Sequence, residues 1–224
     1  MGSIGFHRFD RPEDFWPYIE EHKIDLNEYV LQECVDHEER IGTILFMDQH
    51  GNVCMAYADE VLRWFPIDAG TACLIRSIDH PEAIRWSSDL LKAMKWQGIA
   101  ALSFMVDKKT GVPKLQEVNG RIPASVRLSS QCGFNVAKLL IELAYDEKVE
   151  QYPVNTRFGL CTRHLDLDLA WFMKSPDRFR AEPSWFSWKN TKEVLYNRDD
   201  RKPFFAHFFQ QISQYRAIMK KKHH

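Results

Sequence analysis

The stretch Lys114-Leu115-Gln116-Glu117-Val118-Asn119-Gly120-Arg121 decides how the rest of the chain is read. In an extended chain successive side chains point to opposite faces, so Glu117, Asn119 and Arg121 share one face. Gln116, Val118 and, past the glycine, Ile122 take the other. A carboxylate, an amide oxygen and a guanidinium in that order make a polar ledge. Glu117 and Asn119 are hard oxygen donors of the kind Mg²⁺ prefers, and Mg²⁺ is usually held by one or two such groups plus phosphate oxygens. Arg121 can meet a phosphate that the metal also touches, through a planar bidentate fork. The same residues taken alone also describe an edge strand with three solvated polar groups.

Outward from the ledge, residues 99–106 read as the preceding strand, joined to it by a turn at 107–111. Before them, Asp79-His80-Pro81-Glu82 is a helix start, with an Asp cap, a first-turn Pro and a Glu three residues after the Asp. Ile84, Leu90, Leu91 and Met94 follow at helical spacing, and Gly98 ends the element. Residues 29–35, 40–47, 53–62 and 71–78 read as strands, the middle two forming a hairpin about the turn cluster 48–52. Asp10 and Pro12 open a first helix through Phe15, Trp16 and Ile19. Residues 134–145 form an amphipathic helix after the ledge. This order predicts an α+β domain with a largely antiparallel sheet packed on one side by helices.

Beyond Asp146 the composition shifts. Residues 152–209 are aromatic-rich and punctuated by Pro153, Pro176, Pro183 and Pro203. Phe204, Phe205, Phe208, Ile212, Tyr215 and Met219 form a helical stripe followed by Lys220, Lys221 and Lys222. Such a helix packs on its own domain with cations at the negative end of the helix, or lies on a membrane surface or partner. The expected division is a lobe over 1–148 and an extension over 149–224.

The 224 residues are 45% hydrophobic with a formal net charge of −1, enough for a proper core and without the basic footprint of nucleic-acid binding. No apolar run approaches membrane-spanning length and no signal-peptide core opens the chain. Five scattered cysteines without a Cys-x-x-Cys pair speak against a disulfide framework or structural zinc and fit a reducing cytosol. Met1-Gly2-Ser3 and His223-His224 read equally well as residues added for expression.

Several signals in order resemble a known family. Tyr29-Val30-Leu31-Gln32-Glu33, a glycine-tipped hairpin, Arg63-Trp64-Phe65-Pro66 with Gly70-Thr71, LKAMKWQG over 91–98, and LSFMVDKKTG leading into LQEVNGR are similar to the C-terminal lobe of ATP-grasp enzymes. The nearest flavour is the carbamoyl phosphate synthase large-subunit-like and carboxylate–amine ligase group, over roughly residues 1–148. The resemblance implies ATP and Mg²⁺ as cofactors, and phosphorylation of a carboxylate followed by attack of an amine on the acyl phosphate. Glu117 and Asn119 match the family's metal-binding Glu-x-Asn, and Arg121 the arginine that contacts the transferring phosphate. Gln32, Glu33, Cys34 and Val35 match the inter-lobe segment whose backbone binds adenine. Glu39 matches the acid that holds the ribose hydroxyls, with Glu38 competing for that assignment.

Two departures stand within the motifs. Where the family usually has a second acidic or amide ligand before a Phe, this chain has Ser103-Phe104, a poorer magnesium ligand. The usual Asn-Pro-Arg is Asn119-Gly120-Arg121, which loosens the backbone. The resemblance also implies a lysine-bearing N-terminal lobe that precedes this one, so a missing lobe or partner subunit is expected, and the chain reads as a fragment or separate half. Gly2-Ser3-Ile4-Gly5 is similar to the tail of the family's phosphate loop. Pro123-Ala124-Ser125 and the Ser129-Ser130 pair either line an acceptor pocket or cap the helix at 134. Expected partners are ATP and small carboxylate and amine substrates, with neither nucleic acid nor a membrane among them. The alternative is a non-catalytic binding or scaffold module derived from the same lobe.

Overall fold

A computed structural model describes residues 7–67, 70–153, 155 and 157–210, with the side chain of Glu38 outside that set. Inside its sheet lies β1 (His37–Met47), an eleven-residue strand with apolar residues on both faces. Ile41, Leu45 and Met47 point one way and Ile44 and Phe46 the other, and all five are buried. A strand apolar on both sides needs cover on both sides.

The sheet has seven strands in the order β5-β4-β1-β2-β3-β6-β7. These are β2 (Val53–Phe65), β3 (Thr71–Ile78), β4 (Gly98–Asp107), β5 (Pro113–Asn119), β6 (Cys161–Arg163) and β7 (Thr191–Glu193). Every pairing is antiparallel except β6 with β7. Asp48 fixes the β1–β2 turn by accepting from the His50 and Asn52 amides at 2.8 Å each. Asp107 does the same for the β4–β5 turn through the Lys109 and Thr110 amides. These Asx turns set the strand registers.

The fold is α+β and largely antiparallel, as expected, but helices cover both faces rather than one. α2 (Pro81–Ala93) lays Ala83 and Leu91 against Ile41, Leu45 and Met47. α3 (Val126–Cys132) and α4 (Val136–Ala144) bring Leu128, Cys132, Val136 and Leu139 to Ile44, Phe46 and Tyr57 on the other face. α3 was not anticipated; it is a short helix that ends at Gly133, whose φ of 98° suits a left-handed cap. Ser129 and Ser130 therefore lie inside α3, and α4 begins later than expected, capped by Asn135. α2 is capped by His80 Nδ1, which accepts from the Ala83 amide, and not by Asp79.

The strand expected over 29–35 does not form. A short 3₁₀ turn, Leu26–Glu28, follows α1 (Phe15–His22), and residues 29–36 then run extended without strand pairing. Val30 and Leu31 are 82% and 77% exposed. The residue types favour a strand, but β2 and β4 already pair with both sides of β1, the strand this segment leads into, and the segment makes no ladder of its own.

Residues 149–210 continue the same sheet. β6 pairs with β3, and α5 (Leu165–Lys174) docks on β2 through a buried cluster of charges. Arg63 donates to Asp168 at 2.7 and 3.1 Å, and Arg163 approaches the same carboxylate at 3.1 Å. The two guanidinium groups stack on the Trp171 and Trp188 rings at 5.1 and 4.4 Å. Trp171, Trp185 and Trp188 thus pack on those cations, whereas Phe179, Phe186 and Phe209 are exposed. Residues 202–210 are helical, while Ile212, Tyr215, Met219, the terminal lysines and Gly2-Ser3-Ile4-Gly5 lie outside the described residues. Among the described residues no helix is long and apolar enough to cross a membrane. All five cysteines are free, Cys34 exposed and the other four buried.

Candidate functional site

The ledge forms at the open edge of the sheet, on β5. Asn119 stands opposite Ala101 and Glu117 opposite Ser103. Glu117 and Asn119 share one face, and Asn119 Nδ2 donates to Glu117 Oε1 at 2.9 Å. That contact aligns the pair while leaving Asn119 Oδ1 and Glu117 Oε2 outside it. The strand ends at Asn119, so Arg121, expected on the strand, instead follows in an exposed bend. A Cβ on Gly120 would fall 2.3 Å from the Trp96 ring. The glycine of the Asn-Gly-Arg run is therefore a packing requirement, where the sequence suggested only a looser backbone. Just behind Glu117 the ladder slips: Phe104 pairs with Leu115, leaving Gln116 as the extra residue of a bulge.

The ladder carries this face inward across the sheet. Glu117 faces Ser103, Ser103 faces Gly42, Gly42 faces Asp59, and Asp59 faces Ser77. Partners across a ladder lie on one face about 5 Å apart, so these five residues form a single row. Arg40, two residues before Gly42 on β1, lies on the same face. Its guanidinium sits 4.6 Å from the Trp64 ring centroid, and its Nε donates to His37 Nε2 at 3.1 Å. Burial pulls the Arg40 pKa below its ordinary value.

Asp59 is the anomaly of the row. It is 4% exposed, and no donor or cation among the described residues pairs with its carboxylate. Burial first, and the neighbouring Glu60 second, push its carboxyl up to about 7. A Cβ on Gly42 would come within 2.5 Å of Asp59 Oδ1 and 3.4 Å of Oδ2, so the carboxylate leans over the glycine. The sequence held a signal for this position: a lone glycine inside the apolar run of β1 marks a close approach by another group.

The remaining expected residues are not gathered at the ledge. Gln32, Glu33 and Cys34 are exposed in the extended segment, and Val35 is half-buried. Glu33 meets Lys114 Nζ at 3.0 Å, and the same ammonium meets Asp107 at 3.0 Å. With Lys108 N donating to Asp36 O, this ties the segment to the β4–β5 turn, at the far end of β5 from Asn119. Glu39 pairs with Val106 and has the parity of Ile41 and Thr43, which places it on the α2 face, opposite the ledge. A hollow of about 850 Å³, lined in part by Asp48, His50, Lys92 and Lys148, lies around the β1–β2 turn and takes in none of these residues.

The donors fit a hard divalent cation. Glu117 and Asn119 supply one carboxylate and one amide oxygen on an open face, which leaves positions for water and phosphate. The unpartnered Asp59 carboxylate, lying over Gly42, is a further feature of a face suited to a cation.

No family model matches the chain, and no curated protein matches it. Among solved structures it is similar to a Rhizobium etli pyruvate carboxylase, at 17% identity and TM-score 0.49, over 59% of this chain and 14% of that one. It is also similar to a Campylobacter jejuni biotin carboxylase in complex with an ATP analogue, at 18% identity and TM-score 0.47, over 58% of this chain and 29% of that one. A third is the Thermotoga maritima N5-carboxyaminoimidazole ribonucleotide synthetase, at 15% identity and TM-score 0.44, over 61% and 37%. These proteins are of the ATP-grasp superfamily, the family the motif order resembles. The chain thus spans well under half the length of each. A likeness of this size says nothing by itself about activity.

Proposed function

We propose that this chain is the nucleotide- and Mg²⁺-binding portion of an ATP-dependent carboxylate–amine ligase of the ATP-grasp kind, the carbamoyl phosphate synthase-like group included. The observation that carries the reading is the hydrogen-bonded Glu117–Asn119 pair on an open sheet edge, with Arg121 immediately following. Glu117 and Asn119 would hold Mg²⁺, which supplies neutralisation of phosphate charge when bound. Arg121 would meet the phosphoryl group as charge grows on its oxygens, where a preorganised cation lowers the barrier. The backbone of Gln32 to Val35, outside any strand ladder, would hydrogen-bond an adenine edge in keeping with the resemblance, although the Val35 carbonyl already contacts His37 Nδ1 at 3.0 Å. Glu39 would reach a ribose only by a change in the start of β1, because its parity turns it away. The lysines for the outer phosphates would come from a second lobe, in the same polypeptide or a partner. In that parent protein, Glu117→Gln should abolish carboxylate-dependent phosphate release while leaving thermal stability nearly unchanged. Retained turnover would sink the proposal.

The reading of a non-catalytic binding module rests on one observation: the residue facing Glu117 across the ladder is Ser103, a neutral hydroxyl.

A further inference from the structure

In the row on the ledge face, Ser103 occupies the place from which a second acidic ligand would complement Glu117. Its other ladder partner is Gly42, and the volume above that glycine is filled by the Asp59 carboxylate from β2. Glu117 on β5 and Asp59 on β2 therefore flank the Ser103–Gly42 pair on one face, with Asp59 leaning over Gly42. We propose that Asp59 is a ligand of the ledge cation, supplying across Gly42 the carboxylate that β4 lacks. This rests on the reading of the ledge as a cation site.

Three features of the row support it. A carboxylate that is 4% exposed and unpartnered is costly in a folded protein, and a buried charge is ordinarily paired or coordinated to a metal. The described residues offer Asp59 no such counter-charge, whereas a cation held over Ser103 would provide one. Gly42 is the second feature, because any larger residue would place its Cβ 2.5 Å from Oδ1 and force the carboxylate away. The third is the donor set. Asp59, Glu117 and Asn119 are three hard oxygen donors with the Ser103 hydroxyl between them, which suits Mg²⁺ or Mn²⁺ better than a soft metal.

The test uses Mn²⁺ alone as the probe, with paramagnetic line broadening of backbone amides in the whole 224-residue protein. In the wild type, broadening should centre on Gly42, Ser103 and Glu117. Asp59→Asn should weaken Mn²⁺ binding roughly tenfold or more, at least what loss of a supporting group costs. Ser103→Glu, which places a carboxylate on β4, should restore binding in the Asp59→Asn background. Gly42→Ala should weaken binding by displacing Asp59; if it fails to fold, the Asp59→Asn and rescue arms stand without it. Wild-type affinity in Asp59→Asn, with loss in Glu117→Gln, overturns the role of Asp59 and spares the ledge. Undiminished binding in Glu117→Gln, or broadening centred elsewhere, overturns the ledge and this inference together.

Discussion

At the scale of single residues, the face that carries the ledge is shaped by glycines as much as by charges. Gly120 leaves room for the Trp96 ring, which packs where a Cβ would sit. Gly120→Ala should therefore cost about 1–3 kcal/mol through overpacking. Removing the ring with Trp96→Leu should relieve part of that cost, so denaturation midpoints of the single and double variants should show coupling; additive losses would place the strain elsewhere. Asp59 gives a pH signature. Its folded pKa, about 7, lies above the ordinary carboxylate value, so the folded state binds the extra proton between those two values. Stability from this group is complete below about pH 4 and is lost as pH rises through 7, by an amount on the order of a few kcal/mol. Asp59→Asn should abolish this slope. In metal-free buffer the wild type should fall in stability relative to Asp59→Asn between about pH 4 and 7, and parallel curves would contradict the assignment.

At the scale of elements, a buried triad joins α5 and β6 to the sheet. Asp168 lies between Arg63 and Arg163, all three buried. Burial pulls its carboxyl upward while the two arginines oppose that shift. Asp168→Asn leaves two guanidinium groups without their shared counter-charge, and breaking a buried pair from one side costs about 3–5 kcal/mol. A denaturant midpoint within error of wild type would show the cluster to be dispensable. Such long-range pairing explains much of what the sequence could not reveal. Strands β1 to β5 were legible as runs of strand-forming residues bounded by turn residues such as Asp48 and Asp107, which act locally. The role of Asp168 was not legible, since its partner Arg63 is 105 positions away. Residues 29–35 misled for the opposite reason: Tyr29, Val30 and Leu31 have strand preference, but local preference does not show whether the chain brings a partner strand alongside. That Glu117 and Asn119 share a face was legible because strand parity is exact over two residues. Glu39 was matched by motif position, and its parity with Ile41 became visible only with the register of β1 against β4. Asp59 belongs to no motif, and only Gly42, across the ladder, marks the space it fills.

At the scale of the whole molecule, one seven-stranded sheet runs from the ledge on β5 to β7 in the aromatic-rich segment. This unit carries its own cores on both faces, so it should fold as a cooperative whole. The ledge is open to water, and an exposed contact between charges at about 4 Å is worth only about 1 kcal/mol in high dielectric. With Arg121 exposed and no second lobe among the described residues to exclude water, Mg·ATP should bind this chain alone in the millimolar range and support no ligase turnover. Micromolar affinity by isothermal titration, or phosphate release dependent on a carboxylic acid, would mean that these residues already hold a complete site. The most direct test of the central claim is a titration of the isotopically labelled chain with Mg·ATP, followed by backbone amide shifts. The account predicts progressive millimolar shifts at Ser103, Glu117, Asn119 and Arg121, much reduced in Glu117→Gln; shifts confined to the hollow around Asp48 and Lys148, or none at the ledge, would contradict it.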